Sequence, residues 1–241
     1  MKRINIIAMA GLGSRFLKQD YTIPKPLILI KNKPMFYYAA KSLPKSDKNY
    51  FICNEKLLSK TKFKYFVNKN FAHSKIITVK KKTKGQAYTC NLASKFIGKN
   101  DVITYGACDY FYKFNIKKYD KMINESDLIV FVHKPNKKNI TNFKEYGWIK
   151  KGNNNSIQNI KCKNKVSNNP KKDFVIIGSF TFKNKEIFIN SFKEMVKKKD
   201  KINSEYYMDI MIKHAKKLKY KVKYINVNNF KSFGTPRDLI E

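Results

Sequence analysis

The sequence RINIIAMAGLGSR at residues 3–15 decides the fold, because a short apolar run passes there directly into a turn of small residues. The run over residues 3–8 predicts a buried strand. The turn contains Gly11 and Gly13, two of only nine glycines in the chain. Glycine lets backbone N–H groups surround an anion closely, and the guanidinium of Arg15 adds a permanent positive charge. The stretch therefore favours a phosphate-binding loop, while a GxG sequence taken alone also fits an ordinary tight turn.

Further apolar runs follow this strand at regular distances and alternate with segments of helical length. We predict, in chain order, helix 34–43, strand 50–53, helix 55–67, strand 75–79, helix 85–96, strand 101–105 and strand 127–133. Such alternation favours parallel strands covered by helices on both faces, with ligands at the carboxyl ends of the strands. The expected fold class is α/β: a Rossmann-like domain with a mixed, mostly parallel central sheet flanked by helices.

The composition changes after residue 134. Residues 135–142 and 151–169 are rich in asparagine and lysine and predict loops or hairpins. Beyond them the apolar spacing predicts, in chain order, strand 175–182, helix 187–196, helix 205–218 and strand 221–227. No linker separates the two parts, so we expect a single domain over 1–241 whose halves, 1–134 and 135–241, share one sheet.

The composition supplies enough apolar material for a sizeable core. The chain has 241 residues, of which 42% are hydrophobic, so disorder is not expected. The apolar run behind Met1 is shorter than the roughly 18 residues of a membrane span, and it does not match a signal peptide. The four cysteines are widely spaced without a CxxC pair, which argues against a disulfide framework or a zinc site. We therefore expect a soluble, cytoplasmic protein that does not insert into membranes.

The net charge of +35 arises from 52 basic and 17 acidic residues. Such an excess ordinarily suggests nucleic acid or an anionic surface as the partner. Only Arg3, Arg15 and Arg237 are arginines, however, and the lysines are scattered over the whole length. Because base recognition and bidentate phosphate binding favour arginine, we do not expect nucleic acid as the main partner. The same positive field would attract small anions such as nucleotides and sugar phosphates.

Lys25 and Asp109 are two charged residues whose positions in the sequence suit the binding of phosphate and of a metal ion. In Pro24-Lys25-Pro26 the prolines fix the backbone around Lys25, so its ammonium group loses less conformational freedom on meeting a phosphate oxygen than a mobile surface lysine does. Asp109 ends an apolar stretch in a chain that is poor in acids. A lone carboxylate at the end of a strand suits a magnesium ligand, although it could also cap a loop.

Residues 8–16 and 24–27 together resemble the signature of the sugar-phosphate nucleotidylyltransferases, in which a strand leads into GxG-[Ser/Thr]-Arg and then into Pro-Lys-Pro. The resemblance is to the type found in capsule and lipopolysaccharide biosynthesis, and it extends along most of the chain. The stretch TKGQA at residues 83–87 is similar to the family's second nucleotide loop. The resemblance implies nucleotide contacts from Ala8, Met9, Ala10, Gly11, Gly13, Ser14, Arg15, Lys25, Thr83, Gly85 and Gln86.

The resemblance also implies a metal and an acceptor site. Asp109 stands where the family has a metal-binding aspartate, which implies Mg²⁺ as the cofactor. The stretch SEYYMDI at residues 204–210 is similar to a segment that N-acetylglucosamine-1-phosphate uridylyltransferases use beside the sugar, and FGTP at residues 233–236 resembles the closing Gly-Thr motif. The implied acceptor-binding residues are Gly147, Lys163 and Glu205.

Two positions depart from the family pattern. Ser232 stands where these enzymes carry a second metal-binding Asp or Asn, and Cys162 stands where an acidic residue often precedes the acceptor-site lysine. The second metal ligand is therefore open. Either Asp109, triphosphate oxygens and water hold the ion, or Asp209 or Glu205 reaches it from another element.

The activity implied by the resemblance is transfer of a nucleoside monophosphate, with CMP or UMP favoured, from an NTP to a small phosphorylated acceptor. The acceptor would be a sugar phosphate or a similar metabolite, pyrophosphate would be released, and the product would be an activated precursor of surface polysaccharide. Arg15, Lys25 and Asp109 would be the catalytic residues. The sequence leaves the oligomeric state open.

Three other functions are weighed against this one. A cytidylyltransferase for a non-sugar phosphate such as phosphocholine would be favoured by an acidic or aromatic cage near Glu205 and Trp148. A nucleotide-sugar glycosyltransferase normally carries an Asp-x-Asp metal motif, which the sequence after Asp109 lacks. A basic nucleic-acid-binding module would bind polynucleotides with a steep salt dependence and would not bind NTPs.

Overall fold

The structure is a computed structural model that describes residues 1–59 and 63–239. The helices of the described residues are α1 Ser14–Leu17, α2 Met35–Ser42, α3 Glu55–Ser59, α4 Phe63–Asn70, α5 Gln86–Asn91, α6 Ile116–Glu125, α7 Lys137–Thr141, α8 Lys185–Lys197 and α9 Met208–Lys217. The strands are β1 Arg3–Met9, β2 Leu29–Ile30, β3 Lys33–Pro34, β4 Lys48–Asn54, β5 Ser74–Val79, β6 Val102–Ala107, β7 Tyr110–Lys113, β8 Leu128–His133, β9 Gly147–Lys151, β10 Ile157–Cys162, β11 Phe174–Phe182, β12 Val222–Asn226 and β13 Asn228–Ser232.

A nine-stranded sheet forms the centre of the described structure. Its main path runs β10-β9-β11-β6-β1-β4-β5, while β8 pairs with β11 and β12 pairs with β8. Strands β10 and β11 run against the direction of the other strands in this sheet. The sheet is therefore mixed and mostly parallel with helices on its faces, which confirms the expected fold class.

The first strand lies in the middle of the sheet, as its apolar sequence predicts. It pairs in parallel with β4 on one side and with β6 on the other. Strands that are covered on both faces read as continuous apolar runs because neither face meets water. The register places Ala8 beside Ala107, so the turn after β1 and the chain after β6 leave the same edge of the sheet side by side.

Two apolar clusters cover the faces of the sheet. One contains Ala87 of α5, Phe188 of α8 and Met211 of α9. The other contains Phe36 of α2 and Tyr119 of α6. Among the helices formed by the described residues, none combines the length and hydrophobicity that crossing a bilayer requires.

Three of the predicted helices differ from the structure by three or more residues at one end. The helix predicted over 55–67 is described as α3 and α4, and residues 60–62 of that prediction lie outside the described residues. The helix predicted over 85–96 ends at Asn91, and a 3₁₀ turn follows over Ser94–Phe96. The Ser94 hydroxyl donates to Asn91 Oδ1 over 3.0 Å, which is a side-chain bond that competes with helix continuation.

The last predicted helix begins at Met208 and not at residue 205. The backbone groups of Ile202 and Glu205 bond each other at 2.9 and 3.0 Å, and the Tyr206 N–H donates to the carbonyl of Lys84 over 2.8 Å. These bonds hold residues 202–206 in a turn, so the helix can start only after them.

The segment 135–142, predicted as loop or hairpin, contains the short helix α7. Asn136 and Asn139 cap its start reciprocally: each side-chain oxygen accepts from the other's backbone N–H, at 2.9 and 3.1 Å. A polar helix of this length has no apolar periodicity, which is why the hydrophobic pattern did not indicate it. The segment 151–169 does contain a hairpin partner, because β9 and β10 pair antiparallel.

The small antiparallel sheet of β7 and β13 was not predicted. Tyr110 pairs there with Ser232, close to the end of β6. The stretch NNFKS of β13 is too polar and too short to read as a strand, and its pairing joins residues that are far apart in sequence. This sheet matters for function because it brings the turn after Ser232 to Asp109.

Candidate active site

The turn after β1 is held by buried contacts on one side and is exposed to solvent on the other. Gly13 adopts a left-handed backbone, with φ +66°, and accepts from the Phe16 N–H over 2.9 Å. The Phe16 ring is buried against Ile28 and Phe233. Gly11, Ser14 and Arg15 are exposed. The loop thus keeps a fixed shape while its upper surface remains accessible to an anion.

Lys25 lies directly against this turn and reaches Asp109. A Cβ atom added at Gly13 would lie 3.0 Å from Lys25 Cβ, so the turn and the lysine are in contact. The Lys25 Nζ donates to Asp109 Oδ2 over 2.5 Å. Three predicted residues that are widely separated in sequence therefore meet at the carboxyl ends of β1 and β6.

The Lys25–Asp109 pair is largely removed from water, with side chains only 17% and 15% exposed. Burial by itself lowers the pKa of Lys25, but the adjacent Asp109 carboxylate outweighs it, and the pKa lies above its ordinary value. Lys25 is therefore an ammonium ion at neutral pH. Burial raises the pKa of the neighbouring Cys108 thiol to about 12, so that thiol is protonated and is not a nucleophile.

The turn over residues 232–235 closes the site from the side of β13. The Phe233 N–H donates to the Asp109 carbonyl over 2.8 Å. A Cβ at Gly234 would lie 3.5 Å from Asp109 Oδ2 and 3.7 Å from Asp238 Oδ2. The Ser232 hydroxyl donates to Asp238 over 3.1 Å and accepts from the Gly234 N–H over 3.2 Å. Ser232 therefore stabilises the turn itself.

The carboxylate of Asp238 is also hydrogen-bonded within the protein. Its Oδ2 accepts from the Thr235 N–H over 2.8 Å, and its Oδ1 is bound by the Lys138 ammonium group. Burial raises the pKa of Asp238, but the bonds from Lys138 and Thr235 outweigh it and hold the pKa below its ordinary value. This second carboxylate near Asp109 is ionised, and both of its oxygens accept hydrogen bonds from protein donors.

Arg15 is more loosely held than Lys25. Its side chain is 55% exposed, and Nη1 lies 3.7 Å from Glu145 Oε2. An exposed pair at this distance contributes at most about 1 kcal/mol to stability. Arg15 is therefore free to move to a ligand bound above the turn.

The second predicted loop is docked onto the segment before α9. Gly85 has φ +117°, and a Cβ there would lie 2.5 Å from the backbone N of Tyr206. The Ala87 N–H donates to the Tyr206 carbonyl over 3.1 Å. The Thr83 hydroxyl is turned inward and lies 2.6 Å from the Thr89 hydroxyl, whereas Gln86 begins α5.

Replacing Gly85 by alanine is expected to destabilise the protein by about 2 kcal/mol or more, because both the backbone conformation and the contact with Tyr206 exclude a Cβ. The melting temperature should fall by about 5 °C. Gly11→Ala is the matched control, since nothing lies within 4 Å of a Cβ at Gly11. Equal melting temperatures for the two variants, measured by calorimetry, would contradict this account of the second loop.

The three residues predicted to bind an acceptor lie around the start of α9, but they form two separate groups of contacts. Glu205 accepts from the Tyr207 hydroxyl over 2.9 Å and pairs with Lys82 Nζ at 3.2 Å. The Lys163 Nζ lies 4.6 Å from the centre of the Tyr207 ring. Burial raises the pKa of Glu205, but the bonds from Tyr207 and Lys82 prevail and keep it low, so the carboxylate is ionised.

Gly147 belongs to the other group, with Asp209. A Cβ at Gly147 would lie 2.2 Å from Asp209 Oδ2, so only glycine fits there. Asp209 is bonded to the Cys162 thiol, and burial raises its pKa to about 6. Asp209 was predicted only as an alternative metal ligand. The signal for a distinct role is a carboxylate between the buried apolar residues Met208 and Ile210.

Trp148 cannot take part in binding. Its side chain is 0% exposed, it packs against Val166 and Val175, and its indole N–H donates to the Phe143 carbonyl over 3.1 Å. Within residues 1–59 and 63–239, no group of three or more His, Cys, Asp or Glu side chains is placed to hold a metal ion. Asp109 is therefore not part of such a cluster within these residues.

The chain is similar in fold to several solved structures. One is the nucleoside-diphosphate-sugar pyrophosphorylase from Vibrio cholerae RC9, with 20% identity, a TM-score of 0.79 and 98% of each chain covered. Another is the inositol-1-phosphate CTP transferase from T. maritima, with 16% identity, a TM-score of 0.72, and 98% of this chain and 91% of that chain covered. A third is a UTP-bound UGPase from Acinetobacter baumannii, with 13% identity, a TM-score of 0.74, and 100% and 91% covered.

The comparison with curated proteins found no match for the sequence. A family model described as nucleotidyl transferase, by contrast, matches residues 4–241. The match spans both halves of the sheet and includes the glycine turn, Lys25 and Asp109. The protein therefore belongs to the nucleotidyl transferase family and is an enzyme of that class.

Proposed function

We propose that the protein transfers CMP or UMP from the corresponding NTP to the phosphate of a sugar phosphate and releases pyrophosphate. The observation that carries this proposal is the buried Lys25–Asp109 pair, held against the Gly13 turn where β1 and β6 end. Ligands of parallel α/β sheets bind at this edge, and the pair presents one fixed cation beside one carboxylate there. The product would serve in the cytoplasm as an activated precursor of surface polysaccharide.

The reaction needs no nucleophile from the protein. An oxygen of the acceptor phosphate, already ionised at pH 7, attacks the α-phosphorus of the NTP. The bond from the α-phosphorus to the bridging oxygen breaks, and pyrophosphate leaves with that electron pair. The backbone amides of residues 11–14 and the Arg15 guanidinium hold the departing phosphates, while the Lys25 ammonium neutralises charge at the α-phosphate.

The residues present fit a magnesium ion that is held mainly by substrate. Asp109 offers a carboxylate at the strand end, whereas Ser232 and Asp238 are bonded within their own turn. Glu205 is bonded to Lys82 and Tyr207. We therefore assign the cation to Asp109, triphosphate oxygens and water. When bound, the ion neutralises triphosphate charge and so lowers the barrier to attack.

The structure favours a sugar phosphate over phosphocholine as the acceptor. A quaternary ammonium group would need exposed aromatic faces. Trp148 is buried, and Lys163 covers the ring of Tyr207. The preference for CTP or UTP is supported by the names of two structural neighbours, one a CTP transferase and the other UTP-bound.

The test is pyrophosphate release with CTP, UTP, dTTP or GTP, magnesium and a panel of acceptors. The panel contains sugar 1-phosphates, other sugar phosphates, phosphocholine and inorganic phosphate. We expect release to require both magnesium and a sugar phosphate, and to be fastest with CTP or UTP. Turnover with phosphocholine alone would overturn the assigned acceptor, and a preference for dTTP or GTP would overturn the assigned base.

A further inference from the structure

A cavity of about 460 Å³ lies between β10 and the exposed side of α9. Cys162 and Asp209 line it together with Lys161 and Lys213, above a floor that includes Ile160 and Ile210. Cys162 precedes Lys163, and Asp209 packs against Gly147, so the cavity borders the residues implied to bind the acceptor. A molecule held by Lys163 could therefore extend into it.

Asp209 is a partly buried acid, flanked in α9 by the buried residues Met208 and Ile210, and it has no cation partner among the described residues. Within residues 1–59 and 63–239, no lysine, arginine or histidine nitrogen lies within ion-pair distance of its carboxylate. Burial raises its pKa to about 6, against smaller opposing effects of the Cys162 hydrogen bond and the Lys163 charge. The folded protein thus holds an unpaired carboxylate at a cost to its own stability, which is typical of binding sites.

Strand pairing connects Asp209 to the centre of the site. Asp209 packs on Gly147, which begins β9 and pairs with Ile176 of β11. Two residues further along β11, a Cβ at Gly178 would lie 3.3 Å from Ala107 Cβ and 3.5 Å from the Tyr110 ring. One strand, β11, therefore separates Gly147 and its neighbour Asp209 from the end of β6, where Asp109 follows.

A carboxylate in this position suits a hydrogen-bond donor on the acceptor. Lys163 supplies a cation for the acceptor phosphate, and the free oxygen of Asp209 can then accept from a neighbouring hydroxyl. We propose that Asp209 determines acceptor specificity by accepting a hydrogen bond from a sugar hydroxyl, with the body of the sugar in the cavity between β10 and α9. This inference rests on the proposed function and deepens it to the class of polyhydroxylated phosphates.

The test compares Asp209→Asn and Asp209→Ala with the wild-type enzyme on the best sugar phosphate. We expect the acceptor KM to rise at least tenfold while the NTP KM stays within twofold, because the carboxylate contacts only the acceptor. Glu125→Gln is the matched control, since Glu125 is an acid at the end of α6 that pairs with Lys223 away from the cleft. It should change neither KM.

Folding does not confound this comparison. An acid whose pKa is raised in the folded state destabilises that state above the raised pKa, because the unfolded chain ionises more easily. Replacing Asp209 by the neutral amide removes this cost, so the melting temperature at pH 8 should equal or exceed that of the wild type. A large drop in melting temperature would show that Asp209 is structural and would overturn the inference.

Acceptors that each lack one hydroxyl group identify the sugar hydroxyl that Asp209 binds. Removing the one that Asp209 holds should raise the acceptor KM of the wild type about tenfold and leave that of Asp209→Asn nearly unchanged. Equal effects in both enzymes for every hydroxyl would overturn the inference, as would an unchanged acceptor KM in the variants. The proposed function fails separately, if the wild-type enzyme releases no pyrophosphate with any sugar phosphate.

Discussion

Replacing Asp109 by alanine is expected to lower kcat for nucleotidyl transfer about 1000-fold, which corresponds to about 4 kcal/mol of transition-state stabilisation. In the proposed mechanism this carboxylate holds the cation that neutralises the triphosphate. It is also the partner that keeps the Lys25 ammonium in place at 2.5 Å. The measurement is pyrophosphate release at saturating NTP, acceptor and magnesium.

Two further variants separate catalysis from folding. Asp109→Asn keeps the shape of the side chain and should lose nearly as much activity, with its half-maximal magnesium concentration raised. Asp120→Asn removes an acid of α6 that pairs with Arg3 of β1, and this variant should leave activity unchanged. If Asp109→Asn kept more than a tenth of the wild-type rate at ordinary magnesium, Asp109 would not hold the cation.

The first half of the fold was predictable because its strands are buried on both faces. β1, β4 and β6 are nearly continuous apolar runs, and no polar alternation obscures them. The elements that were missed are short and polar. β13 forms through pairing with β7, and α7 forms through the reciprocal caps of Asn136 and Asn139, neither of which leaves a periodic apolar pattern.

The contacts of the candidate site likewise include some that were predictable from the sequence and some that were not. The glycine turn, Lys25 and Asp109 were predictable from local composition and from a resemblance, although 84 residues separate the lysine from the carboxylate. The hydrogen bonds of the Ser232 hydroxyl were not predictable, because they depend on a turn that is positioned by the pairing of β7 with β13. The contact of Asp209 with Gly147 was equally hidden, because it needs α9 packed across the edge of the sheet.

Replacing Lys25 by methionine is expected to lower kcat by about 100- to 1000-fold, because the variant keeps an apolar stem of similar length but loses the charge that offsets the α-phosphate. The NTP KM should rise much less, since the glycine turn and Arg15 still bind the phosphates. Asp109 would also lose its partner, so binding of magnesium without nucleotide should tighten. Single-turnover kinetics and magnesium titration by calorimetry measure these effects.

The outcome depends on whether Lys25 acts through its position or merely through its charge. Lys18→Met is the matched control: it removes the same charge from an exposed site near the turn, and should change kcat less than twofold. Lys25→Arg keeps the charge, but the stem is confined between the Gly13 turn and Asp109, where a planar guanidinium has little room. We expect it to recover less than a tenth of the wild-type kcat. Full recovery with arginine, or equal losses in Lys25→Met and Lys18→Met, would mean that a diffuse positive field suffices and that the proline-braced position of Lys25 is not needed for transfer.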